Sequence, residues 1–109
     1  MTERALHKAV IDYLRVALPS TCRAFTNAND GARGQPGLTR GIPDISIIRE
    51  GGSIAFIELK TAKGRLSDHQ TNFLDWCAER AVPAAVCRSV EDVRDQCQEW
   101  GIPLKGVRL

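Results

Sequence analysis

The chain has no run of about 18 apolar residues, which excludes a hydrophobic membrane-spanning helix. Its opening residues, Met1-Thr2-Glu3-Arg4-Ala5, lack the basic-then-apolar pattern of a secretory leader and point to a cytoplasmic protein. Cys22, Cys77, Cys87 and Cys97 show no C-x₂-C spacing, so a zinc site or disulfide framework is disfavoured. Reduced cysteines on strands and helices act as small hydrophobes. Aromatics are scarce at 6%, which weighs against a stacking platform for single-stranded nucleic acid. Repeats, low-complexity segments and an interdomain linker are also missing. A net charge of +2 neither demonstrates nor opposes contact with a phosphate backbone. There remain 109 residues, 43% hydrophobic and 26% charged, which is the size and composition of one globular domain over 1–109.

Apolar residues at Leu6, Ala9, Val10, Tyr13, Leu14 and Ala17 trace one helical face from Glu3 to about Leu18, closed by Pro19. Arg23 to Asn27 reads as a short strand. Ala28 to Arg40 is rich in glycine and proline and reads as a loop leading into the next strand. Asp44–Arg49 and Ser53–Lys60 form two strands joined by a Gly51-Gly52 turn. Ser67-Asp68-His69-Gln70 has the form of a capping box opening a helix to about Arg80, with Phe73, Leu74 and Cys77 inward. Pro83 ends it, Ala84 to Arg88 is an apolar strand, and Ser89 caps a last helix from Val90 to about Trp100. The order is αβββαβα. A strand–helix–strand crossover from Ile54 to Arg88 makes the sheet mixed, with helices flanking it.

Three charged residues stand out on this scaffold. Asp44 opens the first hairpin strand and Glu58 lies near the end of the second, so antiparallel pairing brings them together. Side chains alternate along a strand, so Glu58 and Lys60 share a face and Leu59 takes the other. Two carboxylates supply the number of protein ligands magnesium commonly takes. Phosphodiester hydrolysis needs such a cation, and Lys60 can orient the attacking water or lower its pKa. Arg40, Lys63 and Arg65 flank the hairpin end, with Arg33 in the preceding loop, and suit phosphate contacts that do not read sequence.

The pattern Pro43-Asp44…Glu58-Leu59-Lys60 resembles the motif of the PD-(D/E)xK nuclease superfamily. With Gly41-Ile42, Thr61, Lys63-Gly64-Arg65-Leu66-Ser67 and Gln70 it is similar to the virus-type replication-repair nuclease (VRR-NUC) family, especially its small, stand-alone, phage-like members. The resemblance runs from about Glu3 to Trp100-Gly101-Ile102-Pro103-Leu104. It implies a nuclease core using Mg²⁺ or Mn²⁺, with Asp44, Glu58 and the Leu59 backbone carbonyl as ligands and with Lys60 and Gln70 catalytic. A glutamate on the first helix approaches the metal in related junction-resolving enzymes, which makes Glu3 a candidate. The alternative for Gln70 is that it simply completes the capping box with Ser67, the two roles being compatible only if the helix start faces the metal site, and His7, one turn beyond Glu3, fits a partly buried surface position. The implied substrate is branched DNA such as a four-way (Holliday) junction, cut by a homodimer in a bacterial or phage-infected cell. Two readings stand beside this one: a non-catalytic DNA-binding subunit with a nuclease fold, and a restriction-type nuclease.

Overall fold

In a computed structural model, which describes residues 1–27 and 40–109, the elements are α1 (Glu3–Ala17), β1 (Arg23–Thr26), β2 (Ile45–Ile48), β3 (Ile54–Leu59), α2 (Asp68–Glu79), β4 (Ala84–Cys87) and α3 (Val90–Glu99). This is the order αβββαβα, within a residue or two of the expected boundaries. The loop expected over 28–40 lies outside the described residues except for Arg40, and Arg33 lies outside them altogether.

The strands form a four-stranded sheet in the order β1-β2-β3-β4. β1–β2 and β2–β3 pair antiparallel, and β4 joins β3 in parallel, with α2 as the crossover. The tight hairpin between β2 and β3 turns on Gly51 and Gly52, both at φ +89°, a region that L side chains avoid.

α1 starts at Thr2, whose hydroxyl accepts from the Ala5 amide at 3.0 Å. Its buried residues are Leu6, Val10, Ile11, Tyr13, Leu14 and Ala17. The expected stripe included Ala9, which is half-exposed, and omitted Ile11. The buried arc is rotated and widened because α1 packs against β1, β3 and α3 together.

Ile45, Ile47, Ala55, Ile57 and Leu59 point into the core shared with α1 and α3. The other sheet face, carrying Phe56 and Glu58, meets α2: Phe56 packs edge-on against Phe73 with ring centroids 5.3 Å apart. Only part of that second face is covered, for Phe25 and Ile48 remain exposed at its β1–β2 side. The C-terminal tail closes the core from below. Ile102 is buried, Trp100, Leu104 and Val107 pack against the cluster, and the Lys105 amide donates to the Ala17 carbonyl at 2.8 Å. Arg49 ties the tail to β2 by donating to the Trp100 and Gly101 carbonyls at 3.2 and 3.1 Å. The four cysteines are buried free thiols.

Candidate active site

The pleat of β3 delivers its side chains alternately. Leu59 fills the core, while Glu58 goes to the α2 face and is 2% exposed. A carboxylate so deeply buried demands partners, and each neighbour is fixed by its own local device.

Asp44 sits just before β2. The Leu59 amide donates to its Oδ2 at 2.8 Å, so the carboxylate is latched to the backbone between Glu58 and Lys60. Its carbonyl accepts from the Asn27 amide at 2.8 Å. The Asn27 side chain donates to the Pro43 carbonyl at 2.9 Å and to the Ser46 hydroxyl at 2.7 Å. Just upstream, Gly41 has φ +80° and lies against the backbone of α2; a Cβ there would come within 2.2 Å of the His69 carbonyl oxygen. The turn before Asp44 is thus wedged against the start of α2.

That helix start carries Gln70. Its amide nitrogen donates to Glu58 Oε1 at 3.1 Å, while its Oε1 accepts from the Ser67 amide at 2.8 Å. The Ser67 hydroxyl in turn accepts from the Gln70 amide, completing a capping box. Capping and contact with the acidic site occur together.

Lys60 follows Leu59, with its side chain 12% exposed and its ammonium 3.9 Å from Glu58 Oε1 and 3.5 Å from Glu3 Oε1. Glu3 therefore reaches the site through Lys60. Burial is the largest influence on Glu58 and, with the charge of Asp44 and the proton that the two carboxyls can share, pushes its pKa up to about 8; Lys60 pulls it down and Glu3 adds a smaller upward push. Among the described residues Lys60 is the cation beside Glu58, and the carboxyl stays raised in spite of it. Among the described residues no three His, Cys, Asp or Glu side chains close into a metal cage. What the site offers instead is a carboxylate pair, and this fits a hard cation that keeps most of its waters.

Lys63 and Arg65 are exposed on the segment between β3 and α2, and Arg40 is exposed beside His69, Asn72, Phe73 and Trp76. His7 is half-buried, its Nε2 3.0 Å from the Thr26 hydroxyl. Two supporting residues were not singled out in the sequence. Arg88 donates to the Thr61 carbonyl at 2.6 Å and the Gly64 carbonyl at 2.8 Å, clamping the Lys63–Arg65 segment. Its only trace in the sequence is its place just past β4, whose Cys87 carbonyl accepts from the Lys60 amide at 3.1 Å. Asn27 is the other, and a turn-forming residue between a strand and a glycine-rich stretch is the hint it gave.

Residues 8–91 match the VRR-NUC domain family. A solved structure titled "VRR_NUC domain" superposes with a TM-score of 0.56 at 20% identity, covering 89% of this chain and 90% of that one. At that identity the likeness speaks for the fold. No curated protein sequence matches the chain.

Proposed function

The chain belongs to the VRR-NUC domain family and so carries a nuclease-type domain, and we propose that it is a divalent-metal-dependent endonuclease acting on branched DNA, with residues 1–109 working as one catalytic domain. The observation that carries this reading is the convergence of Asp44, Glu58 and Lys60 at one end of the sheet, with Gln70 on Glu58. Nothing in the packing of a small sheet requires a nearly buried carboxylate beside a second one; binding a cation does.

Asp44 and Glu58 would hold Mg²⁺ or Mn²⁺, with the Leu59 carbonyl as a backbone donor. The cation supplies Lewis acidity at the phosphate and an acidified water. Lys60, placed on the Glu58 face, orients that water and offsets charge on the phosphate as it develops. Gln70 fixes the rotamer of Glu58 and leaves its second oxygen for the cation. Glu3 positions Lys60. Arg40, Lys63 and Arg65 hold the DNA backbone, with Arg33 assigned to the same role. Shape selectivity is supported by the exposed cations beside the site, which suit phosphate contacts that do not read sequence. Cutting two strands of a junction calls for two sites and hence a symmetric homodimer. The setting that follows is the DNA-containing cytoplasm of a bacterial or phage-infected cell.

The test is cleavage of a four-way junction and of linear duplex, side by side, in Mg²⁺. Wild-type protein should cut the junction preferentially. Asp44→Asn and Glu58→Gln should each abolish cleavage and leave binding in Ca²⁺ nearly intact. More than a tenth of the wild-type rate in either variant would overturn the ligand assignment. Junction binding without any cutting would favour a non-catalytic subunit, and cutting at one duplex sequence a restriction-type enzyme.

A further inference from the structure

We propose that the face of α2 running on from Gln70 holds an unpaired nucleobase of the DNA. This rests on the nuclease reading and adds a contact to a base beside the phosphate contacts, with Arg40 at the junction of the two. His69, Asn72, Phe73 and Trp76 recur at i, i+3, i+4 and i+7, one stripe of the helix. With Arg40 they line an open cavity of about 330 Å³, within the usual size of small-ligand sites.

The two rings are mounted differently. Phe73 is braced from beneath, edge-on to Phe56 at 5.3 Å. Trp76 lies 6.2 Å from Phe73 at an interplanar angle of 39° and is 50% exposed. A half-exposed indole beside a braced phenyl ring gives a base a π-face to stack on, worth enough per base to be read by substitution. No carboxylate is among the described lining residues. Arg40 contributes a cation, and the Asn72 amide carries both a donor and an acceptor for a base edge. Arg80 covers one side of Trp76 at 4.2 Å, but it also lies 3.4 Å from Glu79, so the positive charge of the cavity is chiefly that of Arg40.

Position links the cavity to the chemistry. Arg40 precedes Gly41, which is pressed on the His69 carbonyl, and His69 precedes Gln70, which holds Glu58. The stacking stripe thus begins at the residue next to Gln70, whose side chain holds Glu58. Paired duplex hides its base faces, whereas a branch point or gap offers one without the cost of unpairing. An apolar protein segment could use the rings, but it would leave Arg40, His69 and Asn72 without matching groups.

The experiment measures affinity by fluorescence anisotropy, in Ca²⁺, for two DNAs of equal length: a fully paired duplex and one with a three-nucleotide gap. Wild-type protein should prefer the gapped DNA. Trp76→Leu should reduce that preference by about five- to one-hundred-fold, the range base–aromatic stacking supports, and Trp76→Phe should retain most of it. Asn72→Asp, which places a carboxylate in the cavity without touching the rings, should also reduce it. A 2-aminopurine in the gap should lose emission on binding wild-type protein and recover it with Trp76→Leu and Asn72→Asp. An unchanged preference overturns the proposal, as does a changed oligomeric mass with the preference intact, which would make the face a protein contact. Mg²⁺-dependent cleavage by wild-type protein is scored separately. Cleavage without a Trp76-dependent preference refutes the base site alone, and the preference without cleavage refutes the nuclease alone. Failure to bind either DNA refutes both.

Discussion

Gln70 serves two masters with one side chain, and substitutions can separate them. Its oxygen closes the capping box with Ser67 and its nitrogen holds Glu58. Ser67→Ala removes capping alone and should cost about 0.5–2 kcal/mol of stability with little effect on cleavage. Gln70→Ala should cost a comparable amount of stability and also slow cleavage markedly, because Glu58 loses its hydrogen bond. Equal effects of the two variants on rate, at matched folded fraction, would reduce Gln70 to a helix cap. The basic residues divide in a similar way. Lys60 lies 3.9 Å from Glu58, whereas Lys63 and Arg65 are exposed on the clamped segment beyond it. Lys60→Ala should lower the single-turnover rate by roughly 10²–10⁴-fold. Lys63→Ala and Arg65→Ala should weaken binding, each reducing the slope of log affinity against log salt by about one unit. If Lys60→Ala altered only the salt slope, the division of roles would be reversed.

At the scale of elements, the site depends on a close approach between the turn before β2 and the start of α2. Gly41 and Gly52 both have positive φ, but only Gly41 faces backbone, 2.2 Å from where its Cβ would be, while Gly52 faces open space. Gly52→Ala should therefore cost only the left-handed strain, about 1–3 kcal/mol, and leave cleavage intact. Gly41→Ala should cost more and disable the folded fraction that remains, because the turn carrying Asp44 must move away from Gln70. Urea unfolding paired with cleavage per folded molecule decides this; two equally active variants would show that the approach does not matter. The contrast also shows what the sequence makes legible. Helices, strands and their order follow from local periods and caps, and the pleat alone predicts Glu58 and Lys60 opposite Leu59. Ile11, Asn27 and Arg88 were not readable that way. The burial of Ile11 depends on how three other elements pack on α1, and Arg88 acts on carbonyls 24 and 27 residues away. The low aromatic content was a fair reading of composition, yet Phe56, Phe73 and Trp76 gather at a single patch. Composition carries no information about such placement.

At the scale of the whole molecule, a 12.0 kDa chain proposed to cut two strands should give about twice that mass by light scattering at micromolar concentration; a monomer that still cuts junctions symmetrically would refute the paired-site picture. The acidic site also marks the stability of the entire fold. With Glu58 raised from an ordinary 4.5 to about 8, the folded chain keeps a proton there that the unfolded chain releases. Between those two values the native state binds more protons than the unfolded one, so stability falls as pH rises. The contribution of Glu58 is thus fully present below its unfolded pKa and is lost as pH climbs through about 8. The slope is at most about 1.4 kcal/mol per pH unit for one proton. Glu58→Gln, which keeps the shape and cannot ionise, should match the wild-type melting temperature near pH 5 in the presence of a chelator. It should then pull progressively ahead toward pH 8 and hold its lead above that. Adding Mg²⁺ should narrow the gap from the wild-type side, since a cation between Asp44 and Glu58 takes over the role of the retained proton. Parallel melting curves for the two proteins across pH 5–9, with or without Mg²⁺, would show that the buried carboxylate carries no such strain and that the cation has no preference for the folded site.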